Sequence, residues 1–382
     1  MLPYAQVNTE PAHPRVIVHV DLDYFFAQCE ERERPDLKDK PVVVCVFSGR
    51  TADSGAVSTA NYLARKLGVK SGIPIAFAKR MLKEHNASFL PVNHELYRSI
   101  SDRIMGILRN HADRIQQAGI DEAYLDITER TGTDYSRATQ IGKEIKTQIL
   151  EHEKLTCSVG IGQNKIVAKM AADVGKPDAL TVVKPEETKS FLSPMHVEKL
   201  FGVGKKTVVR MDELGIKTVE DLANYNSDKL VSIFGKALGT YFHNAANGID
   251  DEPVEEREGR EQISKITTLK ENSRDLELIF PEIDRLSEQV HTKLSGDLNY
   301  YSVGVIAVME DLTMHSKSKT LEAPSQNLET LKNNSKELFK QLLSENASLS
   351  VRRVGVRISS LERAAPQKSL GEFLSERTAD HE

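Results

Sequence analysis

Two adjacent carboxylates, Asp121 and Glu122, sit in an apolar frame of Ile120, Ala123, Tyr124 and Leu125. Like charges repel, and withdrawal from water adds to the cost of holding them close. A cation between them is the simplest compensation, which makes the pair a candidate metal centre. Asp21-Leu22-Asp23 follows the β-branched run Val16-Ile17-Val18-His19-Val20, so a strand would deliver Asp21 to the same cation. The alternative is a hairpin whose carboxylates face water. Tyr24-Phe25-Phe26 comes next. Such a run of aromatics is ordinarily core. Its functional alternative is a flat ring beside the metal site, placed to exclude a bulkier substituent than hydrogen.

Thr59, Tyr62 and Arg65 recur at i, i+3 and i+6 of a helix expected from about Val57 to Leu67. Hydroxyl, phenol and guanidinium on one face suit a polyphosphate, because Arg supplies forked donors. A solvated helix face is the competing reading.

The elements that must position these groups follow from periodicity. Val16–Val20, Pro41–Val46, Ser88–Val92 and Leu180–Val183 read as strands, and Leu155–Ile161 as a strand with one buried face. Tyr97–Asn110 is amphipathic, with Ile100, Ile104, Ile107 and Leu108 on one side. Asn164 is placed to cap a helix over Ile166–Asp173. The result is an antiparallel or mixed sheet with two acidic sites, interrupted by a smaller module over 33–92.

At 382 residues the chain exceeds one ordinary core, so several domains are expected. Hydrophobic content of 39% and charged content of 28% are those of a globular protein. A net charge of −5 argues mildly against nucleic acid, unless Lys and Arg cluster on one face. Cys29, Cys45 and Cys157 have no metal-ligand spacing and read as reduced core residues of a cytosolic protein. No run approaches the roughly 20 apolar residues of a membrane helix, and the N-terminus carries no export signal.

Beyond Pro185 the chain changes to short helices with glycine turns. In Leu200-Phe201-Gly202-Val203-Gly204-Lys205-Lys206-Thr207 a Gly-x-Gly precedes a basic helix start. Such a hairpin lets backbone N–H groups approach a DNA phosphate without side-chain clash. It lacks the Gly-Lys-Ser/Thr ending of a P-loop and the strand and third glycine of a dinucleotide-binding turn. The charged stretch Asp250–Gln262 reads as a linker. Ile263–Leu361 follows a β-α-β-β-α-β order, a split βαβ layer. Its Lys317, Lys319, Arg352, Arg353 and Arg357 form a basic sheet face suited to a phosphate backbone. In the tail, Gln367, Leu370, Phe373 and Leu374 would wind into one turn that enters a groove.

With these residues assembled, the chain resembles the Y-family, lesion-bypass DNA polymerases of the DinB (DNA polymerase IV) branch, archaeal members in particular. The resemblance covers about Val16 to Leu361. It rests on HVDLDYFFAQCE, KPVVVCVFSGR, SGAVSTANYLARKLGV, GIDEAYLDIT, SVGIGQNKIVAKMAAD followed by KP, GVGKKT and SVRRVGVR, in that order. It implies an α+β, right-hand polymerase: palm over 1–32 and 93–184, fingers over 33–92, helical thumb over 185–249, linker over 250–262, and little finger over 263–361. A flexible tail over 362–382 would carry a sliding-clamp peptide.

By the same resemblance Asp21, Asp121, Glu122 and the Leu22 carbonyl hold two Mg²⁺ ions. Thr59, Tyr62, Arg65 and Lys176 grip the triphosphate of a dNTP, with Tyr24 and Phe25 offering backbone N–H groups. Phe26 is the steric gate against a ribose 2′-hydroxyl. Val46, Gly55, Ala56 and Ser58 roof the nascent base pair, and their small size implies low fidelity. Gly202, Gly204 and Lys205 touch primer-template DNA. Apart from the resemblance, a monomer is the default expectation, since the sequence shows no extra apolar surface. Gly119 departs from the pattern, since many relatives carry Ser there, and the tail has Phe373-Leu374 where two aromatics are common. Two other classes compete: a catalytically silent DNA- or clamp-binding scaffold, and a nucleotide cyclase, which would leave the hairpin and the basic sheet without a purpose.

Overall fold

The computed structural model describes residues 14–363 except 257, 258, 260, 295, 297 and 347. The tail positions Gln367, Leu370, Phe373 and Leu374 lie outside the described residues. The described chain forms two compact units: 14–46, 57–73 and 77–256 in the first, 47–56, 74–76 and 259 onward in the second. The module expected over 33–92 is thus shared between them.

The first unit begins with β1 (Ile17–Leu22) and α1 (Phe25–Glu33). A small sheet follows, β2 (Val42–Phe47), β3 (Gly55–Ala60) and β4 (Ser88–Pro91) in the order β3-β2-β4, with α2 (Tyr62–Lys66) and α3 (Ile75–Met81) between its strands. The helix expected over Val57–Leu67 is therefore shorter than its spacing suggests. Val57 and Thr59 are β-branched and extend as β3, and the Asn61 side chain, accepting from the Ala64 N–H at 3.0 Å, starts the helix only there.

Next come α4 (His94–Asn110), β5 (Arg114–Gln117), β6 (Glu122–Asp126), α5 (Thr128–Thr131), α6 (Tyr135–Glu153), β7 (Cys157–Gly162), α7 (Lys165–Val174) and β8 (Leu180–Val182). The main sheet runs β5-β6-β1-β7-β8, antiparallel except for the parallel β7–β8 pair. On one face Tyr97, Ile100 and Ile104 of α4 and Ile145 and Ile149 of α6 share a buried cluster with Val18, Val20 and Leu125. Each such side chain contributes about 1.5–3 kcal/mol when fully buried. Glu153 pins this layer, pairing with Arg32 at 2.6 Å and Arg103 at 2.7 Å. The other face takes α7, which approaches β7 so closely that a Cβ on Gly160 would lie 2.0 Å from the Ala168 carbonyl oxygen. Consequently β7 is buried on both faces, not on the single face its alternation implies.

The short helices α8 (Thr188–Leu192), α9 (Lys205–Glu213) and α10 (Val219–Asn224) follow, and then the 20-residue α11 (Ser227–Ala246), kinked at Gly235. Their core of Leu192, Leu200, Met211, Leu222 and Phe242 is continuous with Val167 and Met170 of α7. The beginning of the expected linker is anchored rather than free. Val254 is buried against Ile17, Tyr124 and Ala168, and Lys165 holds Glu252 at 2.9 Å.

The second unit contains β9 (Gln262–Ser273), α12 (Leu276–His291), β10 (Leu298–Met309), β11 (Met314–Ser325), α13 (Leu328–Glu345) and β12 (Val351–Arg363). The antiparallel sheet runs β11-β10-β12-β9, the split βαβ order expected. Val303, Val305, Val354 and Val356 pack on one face against Ile279 and Ile283 of α12 and Leu338 and Phe339 of α13. In the same unit Arg50 donates from Nε to the Leu269 carbonyl at 2.5 Å. Among the described residues no helix is long and apolar enough to cross a membrane, and the three cysteines are buried and unpaired.

Candidate active site

Antiparallel register sets Asp21 at the end of β1 directly opposite Glu122 at the start of β6. Strand periodicity then places both side chains on one face. The Leu22 N–H donates to the Asp121 carbonyl at 2.9 Å, so the turn ahead of β6 is pinned to the same strand end. From α4 the Ser101 hydroxyl donates to the Ile120 carbonyl at 2.5 Å. The Gly119 N–H donates to the Glu122 carbonyl at 3.1 Å, closing the hairpin. A Cβ on Gly119 would stand 3.2 Å from Glu122 Cγ and 3.3 Å from Asp121 Oδ1, so this glycine gives the acidic pair its room.

Two lysines answer the charge. Lys176 Nζ lies 2.7 Å from Asp21 Oδ2 and 2.7 Å from Asp173 Oδ1. Lys169 Nζ lies 2.5 Å from Glu122 Oε2. Burial raises the carboxyls of Asp21 and Asp121 above the usual range, and the Glu122 charge lifts Asp121 further. Glu122 goes the other way. The His19 ring and the Lys169 ammonium outweigh its burial and bring it down to about 2. The His19 Nε2 is 3.3 Å from Glu122 Oε2 but not aligned as a hydrogen bond, and burial holds this imidazole below its usual range. Burial opposes the Lys176 ammonium, yet Asp21 and Asp173 raise it on balance.

Among the described residues no three or more His, Cys, Asp or Glu side chains are gathered as a metal cage. The donor chemistry nevertheless fits a divalent cation. Asp21, Asp121, Glu122 and the Leu22 carbonyl offer only hard oxygens. Two of the carboxylates already hold ammonium groups at contact distance, so this place requires positive charge. Beside Glu122 opens a cavity of about 250 Å³, with Tyr124, Lys165, Phe201, Tyr241 and Asp250 in its walls.

The triphosphate candidates meet, although Thr59 stands on a strand rather than on a helix with Tyr62 and Arg65. The Arg65 guanidinium lies 5.0 Å from the Tyr62 ring centre and donates to Thr59 Oγ1 at 3.3 Å and to the Ala60 carbonyl at 2.8 Å. Tyr24 adopts a left-handed backbone, φ 34°, where the chain turns from β1 into α1. Its ring meets Tyr62 edge-on at 5.2 Å, and its hydroxyl donates to Glu31. Phe25 is buried, whereas Phe26 is half-buried and stacks on Tyr97 at 4.3 Å and 15°. Such stacking fixes the ring plane, which a steric gate requires. Of the roof candidates, Val46 is exposed on β2, and Gly55, Ala56 and Ser58 belong to the neighbouring β3.

Gly202 has φ 86° and Gly204 caps α9, which Lys205 begins. No atom stands within 4 Å of a Cβ built on Gly204, so the loop is open on that side. The basic residues of the second unit divide between sheet faces, which overturns the single basic face read from their spacing. Lys317 and Lys319 pair with Val305 and Val303, putting them on the helix-covered face, where Lys317 contacts Glu345 at the end of α13. Arg353 and Arg357 alternate with the buried Val354 and Val356 and so occupy the other face, while Arg352 falls at a β-bulge. Arg353 donates to Thr268 Oγ1 at 3.1 Å, and Arg357 crosses Gly304, where a Cβ would come within 3.2 Å of its Nε.

Sequence reasoning misses His19 and Lys169, and it names Asp23 only as a member of the Asp21-Leu22-Asp23 carboxylate cluster. Lys169 follows Lys165 by one helical turn, a spacing that marks it for the same face. His19 sits within an apolar run, and no spacing marks its partner.

The impB/mucB/samB family matches residues 20–173, its C-terminal domain matches 260–370, and the DNA polymerase-iota thumb domain matches 198–250. DNA polymerase IV 1 of Methanosarcina mazei is 47% identical over 365 residues, covering 94% of this chain and 99% of the relative. DNA polymerase IV of Nitrosopumilus maritimus is 43% identical over 361 residues, again 94% and 99%. Among solved structures, the Y-family DNA polymerase chimera Dbh-Dpo4(243-245)-Dbh superposes with a TM-score of 0.87 at 39% identity, covering 91% of this chain and all of that one. The insertion ternary complex of Dbh DNA polymerase gives 0.66 at 38% identity and the same coverage. The chain therefore belongs to the impB/mucB/samB family, as a Y-family, DNA-directed DNA polymerase of the DNA polymerase IV branch.

Proposed function

We propose that the chain inserts deoxynucleotides opposite damaged template bases, with low fidelity and without a proofreading exonuclease. The observation that carries this reading is Asp21 facing Glu122 across β1 and β6, with an ammonium group on each carboxylate. Asp21, Asp121, Glu122 and the Leu22 carbonyl would hold two Mg²⁺ ions, whose chemistry is to acidify the primer 3′-hydroxyl and neutralise the leaving pyrophosphate. Lys176, Arg65, Thr59 and Tyr62 would grip the triphosphate of the incoming dNTP, aided by the Tyr24 and Phe25 amides. Phe26, its ring plane fixed by Tyr97, would turn away a ribose 2′-hydroxyl. The small roof residues Gly55, Ala56 and Ser58 would leave room for a distorted base, and the same openness weakens geometric selection.

DNA would lie along the Gly202-x-Gly204 loop with Lys205, and along the sheet face that carries Arg353 and Arg357, with Arg352 at its end. Lys317 and Lys319 would contribute only from the edge of that sheet. Gln367, Leu370, Phe373 and Leu374 would dock a sliding clamp, and the enzyme would act as a monomer. The domain bounds proposed are those implied by the resemblance, with a palm over 1–32 and 93–184. The test is primer extension with Mg²⁺ on an undamaged and an abasic template. The expected outcome is extension past both, with no 3′-end shortening. Extension that halts at the abasic site would overturn the bypass reading, and 3′ degradation would overturn the absence of proofreading.

A further inference from the structure

Asp23 has 1% of its surface exposed, yet among the described residues no cation pairs with it, and it is not one of the proposed metal ligands. Its carboxylate is filled by donors from two other segments. Oδ1 accepts from the Ser158 hydroxyl at 2.8 Å. Oδ2 accepts from the Thr156 hydroxyl at 2.9 Å and from the Asp178 backbone N–H at 2.9 Å. The Asp23 N–H donates to the Thr156 carbonyl at 3.2 Å, and its own carbonyl accepts from Gln28 Nε2 at 2.7 Å. A buried carboxylate is tolerated when its lone pairs are satisfied in this way, and it then fixes its donors in turn.

One of these donors is functionally placed. Asp178 lies two residues past Lys176, on the loop that leaves α7 for β8. Asp23 lies two residues past Asp21, at the end of β1. A single strand end therefore touches this loop twice: Asp21 receives the Lys176 ammonium at 2.7 Å, and Asp23 receives the amide beyond it. The Asp178 side chain is held from the other direction, by Lys146 Nζ at 2.5 Å. Asp178 itself has φ 57°, a left-handed conformation that an Asp side chain adopts at some cost and that these contacts maintain.

We infer that Asp23 is a positioning residue for the triphosphate grip: by holding the Asp178 amide it sets where Lys176 presents its ammonium. The inference rests on Lys176 being a triphosphate contact. It does not require Asp23 to touch nucleotide or metal. A loop held at a single point would let the long Lys176 side chain spread over several positions. Two points on one strand end restrict it to the neighbourhood of Asp21.

Single-nucleotide insertion kinetics test this with Asp23→Asn, Lys176→Ala and the double variant of the full chain. Asn keeps the shape but replaces one acceptor oxygen by a donor, so the two hydroxyls and the Asp178 amide no longer all find a carboxylate acceptor. Asp23→Asn should raise KM for dNTP about tenfold while kcat and primer-template affinity stay within about threefold. In the Lys176→Ala background the same change should add less than about twofold, because the residue through which it acts is gone. Equal effects in both backgrounds, or a loss confined to kcat, would overturn the inference and leave Lys176 in its role. An unchanged KM in Lys176→Ala alone would remove the triphosphate assignment, and the inference with it. Should Asp23→Asn fail to fold, Thr156→Val removes one donor from the same oxygen and should raise KM about twofold by the same route, again only when Lys176 is present.

Discussion

The two large sheets hold their charged residues by opposite means. In the first unit β1 is a central strand, buried on both faces, and its acidic residues appear only where it ends. Three carboxylates there have dedicated partners: Lys176 for Asp21, Lys169 for Glu122, and hydroxyl and amide donors for Asp23. In the second unit one sheet face is covered by helices, and Arg353 and Arg357 stand on the other. Among the described residues their neighbours are a threonine hydroxyl and a glycine rather than counter-charges. A group withdrawn from water cannot lose its partner cheaply, whereas a charge on an open face loses only what solvent and salt leave of it. Changes at the first sheet should therefore act as switches, and changes at the second should be graded and salt-dependent.

The sharpest break of that contrast is Asp121→Ala with Glu122→Ala. Extension should fall by more than about a thousandfold, because two of the carboxylates proposed to hold the metal ions are removed. Primer-template affinity, measured by fluorescence anisotropy, should stay within about threefold. Extension by the purified double variant within about tenfold of the unaltered chain would take both residues out of the chemistry.

The same contrast governs how much the sequence reveals. The acidic pair, the strand leading to Asp21 and the aromatic run are legible because each is a local pattern, and β1 and β6 bring those patterns together in register. The second unit's fold is legible for the same reason, since its strands and helices alternate with clear apolar periods. The faces of its basic residues are not. Alternation within β11 says that Lys317 and Lys319 share a face, but only pairing with Val305 and Val303 says which face. The i, i+3, i+6 spacing assigns Thr59 to a helix, yet Arg65 reaches back across the Asn61 cap to a strand. The roles of Asp23, His19 and Lys169 stay hidden because each has a partner more than 45 residues away; the Lys165–Lys169 spacing gives Lys169 a face but not that partner.

The second sheet offers the graded case. Arg353→Ala with Arg357→Ala should weaken DNA binding about equally on all sequences. The plot of log affinity against log salt should become shallower by about two units, one for each phosphate that is no longer neutralised. Lys317→Ala with Lys319→Ala should leave the slope nearly unchanged, since register puts those side chains on the covered face. Equal slope changes in the two pairs would erase the distinction between faces.

The smallest expected effect lies at Gly119, and it tests how tightly the first site is packed. A serine here adds a Cβ 3.2 Å from Glu122 Cγ and 3.3 Å from Asp121 Oδ1. Both distances are shorter than ordinary contact, and the atoms in the way belong to side chains, so a few tenths of an ångström must be found by the carboxylates. Glu122 is not free to give, because Lys169 holds it at 2.5 Å and His19 stands at 3.3 Å. Gly119→Ser should therefore slow extension about two- to fivefold and raise the half-saturating Mg²⁺ concentration by a similar factor, with KM for dNTP unchanged. A magnesium titration of single-nucleotide insertion reads both quantities. Faster insertion at lower Mg²⁺ would mean that the turn is limited by the looseness of glycine rather than by crowding, and that the serine hydroxyl steadies Asp121. The first site would then gain from a further polar contact, and its carboxylates would be less rigidly held than their two lysines imply.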